Sequence, residues 1–233
     1  MKKLIIASTS TVHGGLYLEY ILEELTTFFF KTDEILFIPY ARPSGITHDE
    51  YTSIAEKGFT KINKKIIGIH TFKDPAIAIK EAKGIFVGGG NTFLLVHQLY
   101  KNDVMHTLRE GILNGTPYFG TSAGANLTGL TMQTTNDMPI IYPPSFKTLG
   151  VVPFNINPHY IDAQPENKHM GESRETRINE FHKLNSIPVI GLREGSWIHV
   201  EGDTNLLKGN MSAKIFEQDK QSYEAESGTS LLF

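Results

Sequence analysis

The chain contains no cysteine among its 233 residues, and this absence excludes several kinds of chemistry. Without thiol groups there is no disulfide framework, no thiolate zinc site and no cysteine nucleophile. A covalent mechanism on this chain would therefore have to use a nucleophile of another type.

Long apolar runs and a strong net charge are also missing. The apolar stretch at residues 4–7 is too short for a signal peptide, and no stretch approaches the ~20 residues that span a bilayer. The formal net charge of -3 gives no basic field that would attract nucleic acid. We therefore expect a cytoplasmic protein that binds neither a membrane nor nucleic acid.

What is present is a globular composition with short apolar segments that alternate with helical patterns. Hydrophobic residues make up 40% of the chain and charged residues 20%, which, with this length, predicts a single domain over residues 1–233. Five apolar segments in the first half are typical of buried parallel strands: residues 3–7, 34–39, 65–69, 84–87 and 117–121. The sequence therefore predicts a doubly wound, mostly parallel sheet of flavodoxin type with helices on both faces.

The second half of the chain is less regular. Six prolines between residues 131 and 170 predict loops and short strands. Strand-like segments between residues 187 and 217 predict a partly antiparallel extension of the sheet. Because ligands of doubly wound sheets bind beyond the carboxyl ends of the strands, polar residues that directly follow a strand are the candidates for a site.

The segment Gly120-Thr121-Ser122-Ala123-Gly124 matches the Gly-x-Ser-x-Gly nucleophile elbow. The pattern also arises by chance in glycine-rich loops, but here it follows a predicted strand and precedes a helix. The glycines let strand and helix pass closely, and the helix N-terminus directs N–H groups toward the place where an oxyanion develops. Ser122 is therefore the candidate nucleophile.

A second source of N–H groups is the segment Gly88-Gly89-Gly90-Asn91, which follows the fourth predicted strand. Glycine permits close approach of the backbone to a substrate, so this segment is the candidate for the other half of an oxyanion hole. A phosphate-binding loop is a weaker explanation, because the pattern is neither Gly-x-Gly-x-x-Gly nor Gly-x-x-x-x-Gly-Lys. A simple tight turn is a further alternative.

A serine nucleophile also needs a base, and three histidines are candidates. His159 lies in a loop that Pro158 fixes, and a rigid loop is what the positioning of a base requires. His13 and His70 follow early predicted strands, so the pattern favours His159 only modestly over them.

The base in turn needs a carboxylate that orients it and stabilises its charged form. Asp137 and Glu194 both lie in short polar loops, and the pattern does not choose between them. Each has an alternative role as a turn residue, Asp137 before Pro139 and Glu194 before Gly195.

Six sequence blocks together resemble peptidase E, the α-aspartyl dipeptidase family of serine peptidases. In family order, they are VGGGNTF (87–93), SAGAN (122–126), TTNDMP (134–139), INPHY (156–160), GESRETRI (171–178) and IGLREGSWI (190–198). Each block is weak alone, and the combination is specific. The family is related in fold to class I glutamine amidotransferases, but it has serine where those enzymes use cysteine.

The resemblance implies roles for the matching positions. Ser122 would be the nucleophile, His159 the general base, and either Asp137 or Glu194 the third catalytic acid. The N–H groups of Gly90 and Ala123 would form the oxyanion hole. No metal or cofactor is implied.

The resemblance also implies that Arg174 binds the side-chain carboxylate of an N-terminal aspartate, since a planar guanidinium can hold a carboxylate through two hydrogen bonds. The alternative is an ordinary helix-surface arginine. The expected partners are small aspartyl peptides, and both a monomer and a homodimer are compatible with the sequence.

Three other functions remain open at this point. The segment Gly120-Thr121-Ser122 also resembles the corresponding segment of the cyanophycinases, which cut β-linked aspartyl units. A non-catalytic small-ligand binding module on the same fold is a second alternative. The third, an amidotransferase subunit, is nearly excluded by the lack of cysteine.

Overall fold

The computed structural model describes residues 1–163 and 171–233, and its strands form two sheets. The strands are β1 (Lys3–Ala7), β2 (Glu34–Ile38), β3 (Lys65–Gly68), β4 (Ile85–Val87), β5 (Tyr118–Thr121), β6 (Asn155–Pro158), β7 (Val189–Leu192), β8 (Ser196–Glu201), β9 (Thr204–Gly209), β10 (Ala213–Phe216) and β11 (Tyr223–Ala225). The helices are α1 (Leu22–Phe28), α2 (His48–Thr60), α3 (Pro75–Glu81), α4 (Thr92–Lys101), α5 (Met105–Leu113), α6 (Ala123–Asn126) and α7 (Arg174–Phe181).

The larger sheet has seven strands in the order β3-β2-β4-β5-β1-β8-β9. The first five of these are parallel, while β8 and β9 are antiparallel to their neighbours. Successive side chains of β1 enter different cores: Leu4 and Ile6 pack with helices α3 to α6, and Ile5 and Ala7 pack with α1 and α2. Both faces are therefore covered, and the predicted doubly wound, mostly parallel sheet is confirmed.

The second sheet has the order β11-β10-β7-β6, and β6 and β7 run parallel. The sequence predicted one extended sheet, and this is wrong in part, because only β8 and β9 extend the first sheet. The proline-rich region predicted as loops and short strands contains β6, and its part at residues 164–170 lies outside the described residues. A small apolar cluster around Ile178 and Val189 packs α7 against the second sheet.

Side-chain caps fix the points at which several helices begin. At α2, the Thr47 hydroxyl accepts from the Glu50 N–H at 3.1 Å, and the Glu50 carboxylate accepts from the Thr47 N–H at 2.6 Å, which is a capping box. At α4, the Asn91 side chain accepts from the Leu94 N–H at 3.1 Å. The segment at 88–91 is therefore the turn that joins β4 to a capped helix.

Polar or glycine residues follow the carboxyl ends of five strands from the two sheets. Ser8 follows β1, Gly88 follows β4, Ser122 follows β5, His159 follows β6, and Glu194 comes two residues after β7.

Within the part of the chain that the structure describes, no helix has the length and apolar character needed to cross a membrane.

Candidate active site

Ser122 occupies the turn between β5 and α6 in a strained conformation, with φ of 53° and ψ of -108°. A non-glycine residue with positive φ is uncommon and costs free energy, and such residues cluster at active sites. A Cβ atom on Gly120 would lie 2.4 Å from the Gly124 carbonyl oxygen, and one on Gly124 would lie 2.3 Å from the Val87 carbonyl oxygen. Only glycine fits at either position, which is the physical reason for the two glycines of the elbow.

The His159 imidazole lies between Ser122 and Glu194. Its Nε2 is 2.8 Å from Ser122 Oγ, and its Nδ1 is 2.6 Å from Glu194 Oε1. An ionised carboxylate only accepts hydrogen bonds, so Nδ1 carries the proton and Nε2 is left to accept from the serine hydroxyl. This is the arrangement that a general base needs to take a proton from a serine.

Strand register explains why these side chains meet. In the parallel pair of β6 and β7, Pro158 lies opposite Leu192, so His159 and Glu194 emerge from the same edge. Glu194 Oε1 can therefore reach the imidazole without a long loop. The two side chains are partly exposed, at 34% for His159 and 46% for Glu194.

Ser8 connects the two sheets at this edge, and sequence reasoning missed it. Its hydroxyl accepts from the His159 N–H at 2.8 Å and donates to the Leu192 carbonyl at 2.7 Å. His159 has a φ of 52°, so this bond holds the histidine in a backbone conformation that non-glycine residues seldom adopt. The available signal was a polar residue that directly follows the first buried strand.

Asp137 makes no hydrogen bond to His159, which corrects the expectation that it could orient the base. Its Oδ2 accepts from the Thr92 N–H at 2.7 Å and from the Thr135 hydroxyl at 3.0 Å. Thr92 is the first residue of α4, and the free N–H groups and positive dipole end of a helix attract a carboxylate. Asp137 is therefore bound to the start of α4, and the acid on Nδ1 is Glu194.

The other two histidine candidates do not take the place of His159. His70 is bonded through Nε2 to Asp49 Oδ1 at 2.7 Å. His13 is an exposed residue of the segment after β1.

The glycine loop, residues 88–91, lies against Ser122, the candidate nucleophile. A Cβ atom on Gly89 would lie 3.0 Å from Ser122 Cβ and 3.5 Å from Ser122 Oγ. Gly90 has a φ of +144°, and a Cβ atom there would lie 2.3 Å from the Ala41 carbonyl oxygen, so the position requires glycine. Neither the Gly90 N–H nor the Ala123 N–H donates to an acceptor among the described residues.

Arg174 is the first residue of α7, and its guanidinium has an unsatisfied donor. The Nη1 atom is buried and has no hydrogen-bond partner among the described residues. Burial, followed by the nearby charge of Arg177, lowers the pKa of Arg174, whereas the charge of Glu194 opposes this shift. A buried donor without a partner is costly, and a carboxylate ligand would satisfy it.

No group of three or more metal-ligating side chains is present among residues 1–163 and 171–233.

Comparisons with known proteins agree with the fold and with the sequence blocks. The family model described as Peptidase family S51 matches residues 4–208. A relative from Streptomyces coelicolor named "Peptidase E" is 43% identical over 228 residues, which cover 98% of this chain and 93% of the relative. A relative from Drosophila melanogaster named "Probable alpha-aspartyl dipeptidase" is 41% identical over 235 residues, which cover 100% of this chain and 97% of the relative.

A solved structure shows the same fold at lower sequence similarity. The crystal structure of a peptidase from an acI-B1 Actinobacterium aligns with a TM-score of 0.75 at 18% identity, covering 100% of this chain and 97% of that chain. At this identity the likeness supports the fold alone.

Proposed function

This chain belongs to peptidase family S51, and we propose that it is a serine peptidase that cleaves short peptides after an N-terminal aspartate. The family match and the two named relatives confirm the resemblance to peptidase E that the sequence blocks predict. The observation that carries the proposal is the hydrogen-bonded chain from Ser122 through His159 to Glu194.

The first half of the reaction acylates Ser122. His159 Nε2 takes the proton of the Ser122 hydroxyl, and the serine oxygen attacks the carbonyl carbon of the aspartyl residue. Glu194 stabilises the imidazolium that forms. The N–H groups of Gly90 and Ala123 donate to the developing oxyanion, an interaction that contributes about 3 kcal/mol per donor in other serine peptidases.

The second half releases the products. His159 gives its proton to the leaving amine as the peptide bond breaks, which leaves aspartate esterified to Ser122. Water then attacks this ester with His159 again acting as the base, and free aspartate leaves. Each proton transfer uses Nε2, the nitrogen that lies 2.8 Å from Ser122 Oγ.

Specificity for aspartate is assigned to Arg174. Its buried Nη1 donor has no partner among the described residues, and it lies near enough to Glu194 for the two charges to influence each other. A substrate carboxylate would accept a hydrogen bond from this Nη1 atom, close to the group formed by Ser122, His159 and Glu194. Hydrogen bonds to charged groups contribute about 1.5–3 kcal/mol, which is roughly 10- to 100-fold in kcat/KM.

A panel of dipeptides tests the reaction and the specificity together. We expect the wild type to cleave Asp-Leu at least about tenfold faster in kcat/KM than Asn-Leu or Leu-Leu, because only Asp-Leu carries the charge that Arg174 binds. β-Asp-Leu should be a poor substrate, whereas a cyanophycinase-like enzyme would prefer it. Ser122→Ala should abolish cleavage, and hydrolysis that survives in this variant would contradict the nucleophile assignment.

Arg174 has a matched control on the same helix. Arg177 is an exposed arginine that pairs with Glu172 at 3.8 Å, and its side chain is 62% exposed. Arg174→Gln should lower kcat/KM for Asp-Leu by roughly 10- to 100-fold and leave the slow cleavage of Asn-Leu almost unchanged. Arg177→Gln should change neither, and equal effects of the two variants would contradict the role of Arg174.

The cytoplasmic location, the single domain over residues 1–233 and a monomeric or homodimeric state stay predictions from the sequence. Cell fractionation tests the location, limited proteolysis tests the domain, and sedimentation of the purified protein tests the oligomeric state.

A further inference from the structure

Tyr51 of α2 lies beneath the glycine loop. Its side chain is 1% exposed, and its hydroxyl donates to the Gly89 carbonyl oxygen at 3.1 Å. A Cβ atom on Gly88 would lie 2.4 Å from that hydroxyl oxygen, so the phenol reaches the loop only because residue 88 is glycine. We propose that Tyr51 is a positioning residue that orients the Gly90 N–H toward the oxyanion.

The orientation follows from the geometry of one peptide bond. The Gly89 carbonyl and the Gly90 N–H belong to the same peptide unit, which is trans. In a trans peptide the C=O and N–H bonds point in opposite directions. A hydroxyl that holds the Gly89 carbonyl on one side of the loop therefore fixes the Gly90 N–H on the other side.

Without the bond from Tyr51, the peptide unit between Gly89 and Gly90 could invert its orientation at little cost in free energy. The loop is anchored on either side, by the Gly88 N–H to the Ile38 carbonyl at 3.3 Å and by the Asn91 N–H to the Ala41 carbonyl at 2.7 Å. Between these anchors, the peptide unit is flanked by glycine on both sides, and glycine tolerates positive and negative φ almost equally. The Tyr51 bond thus distinguishes the productive orientation of this unit from the inverted one.

Tyr51 is suited to act as a fixed donor. Burial raises the pKa of its phenol, so the hydroxyl keeps its proton at neutral pH. Its ring packs edge-on against Phe37, with ring centroids 5.0 Å apart, and the Arg42 guanidinium lies 4.7 Å from the ring centroid. The bond to the carbonyl also polarises the peptide unit and makes its N–H a stronger donor.

This role rests on the proposed function, because it presumes an oxyanion at Ser122. The Tyr51→Phe substitution removes only the hydroxyl. For Asp-Leu we expect kcat and kcat/KM to fall together by about tenfold or more, while KM stays within about twofold, because the oxyanion is absent from the bound substrate and develops only as the tetrahedral intermediate forms. The loss should be smaller than the roughly 10²- to 10³-fold cost of deleting an oxyanion donor, since Gly90 keeps its N–H.

Two further variants make the test specific. Tyr100→Phe removes a hydroxyl that donates to the Lys147 carbonyl at 3.0 Å, a more exposed bond of similar length near the end of α4, and it should leave kcat unchanged. Gly88→Ala places a methyl group where the Tyr51 hydroxyl lies, and it should reproduce the loss of kcat. Titration of Ser122 with an organophosphonate counts the folded, competent enzyme in each preparation, so that a folding defect does not enter kcat.

Inhibitor affinities separate orientation of the oxyanion hole from a merely structural effect. The aldehyde analogue of aspartate, which forms a tetrahedral adduct with Ser122, should bind Tyr51→Phe about tenfold more weakly, whereas free aspartate should bind both enzymes equally. A kcat within twofold of wild type, a raised KM at unchanged kcat, or an equal loss in Tyr100→Phe would overturn the proposal. Failure of the wild type to cleave Asp-Leu, or cleavage by Ser122→Ala, would instead overturn the proposed function.

Discussion

Replacing each of the two candidate acids with its amide tests the assignment of Glu194 as the residue that orients His159. Glutamine at 194 can present an N–H group to Nδ1, which favours the tautomer with the proton on Nε2. That nitrogen then cannot accept the proton of Ser122. The structure predicts a large loss of kcat for Glu194→Gln, because the contact with Nδ1 is 2.6 Å long.

The expected size of the loss follows from exposure. The corresponding change at a buried orienting aspartate lowers kcat by about 10⁴-fold in a serine protease. The Glu194 side chain is 46% exposed, and solvent weakens the electrostatic part of the interaction. We therefore expect Glu194→Gln to lower kcat by roughly 10²- to 10³-fold, with KM changed far less.

Asp137→Asn should behave differently. In the wild type the Thr92 N–H donates to Asp137 Oδ2 at 2.7 Å. Asparagine keeps a side-chain oxygen that can accept this hydrogen bond, so the bond at the start of α4 is retained. The lost charge at the helix N-terminus should cost about 0.5–1 kcal/mol of unfolding free energy. Turnover should fall by less than about fivefold, since no bond to His159 is lost.

Steady-state cleavage of Asp-Leu by the wild type and both variants, with the competent enzyme counted by titration of Ser122, provides the comparison. Thermal unfolding of each variant separates a loss of stability from a loss of turnover. A greater fall in kcat for Asp137→Asn than for Glu194→Gln would refute the reasoning, because it would place the functional carboxylate at the start of α4.

Three further outcomes follow from the site and its supports. Ser8→Ala leaves the His159 N–H without a partner and removes one of the two hydrogen bonds to the Leu192 carbonyl, which keeps the bond from the Tyr160 N–H. It should therefore lower the unfolding free energy by about 1–3 kcal/mol in a denaturant titration and lower kcat as well. Gly124→Ala should fail to give folded protein by circular dichroism, since its methyl group would lie 2.3 Å from the Val87 carbonyl oxygen. Glu224→Gln should lower the melting temperature at pH 7, because the hydrogen bond from Arg193 lowers the pKa of Glu224 from 4.5 and so stabilises the folded protein. This stability is lost as the pH falls through the lowered pKa. The difference in melting temperature between wild type and variant should therefore narrow in melts below about pH 4.5.

Much of the fold could be predicted because its signals are local. Each parallel strand of the larger sheet is a short apolar run, and the Thr47 and Asn91 caps lie at recognisable distances from the helices that they begin. The elbow at Ser122 is equally local, since its two glycines are required by contacts with adjacent strand and helix backbone.

The choice between Asp137 and Glu194 could not be predicted, because it depends on the pairing of β6 with β7. β6 has the sequence NINP, and asparagine and proline are poor strand formers, so the segment is typical of a loop. Without that strand nothing indicates that Pro158 lies opposite Leu192, and the proximity of His159 to Glu194 stays hidden. Ser8 was missed for a related reason, since its two partners come from this same pair of strands.

The proposed catalytic groups are divided between two sheets, and this gives the polar contacts at the sheet edge a functional meaning. Ser122 follows β5 of the larger sheet, whereas His159 follows β6 of the smaller one, so the 2.8 Å contact between Oγ and Nε2 depends on how the sheets are held together. Ser8 makes that connection directly, because it follows β1 and bonds to the backbone of both β7 and the residue after β6. Both Ser122 and His159 have positive φ, and isolated elements would relax such strain. The geometry of the proposed base and nucleophile is therefore a property of the assembled pair of sheets rather than of either loop alone.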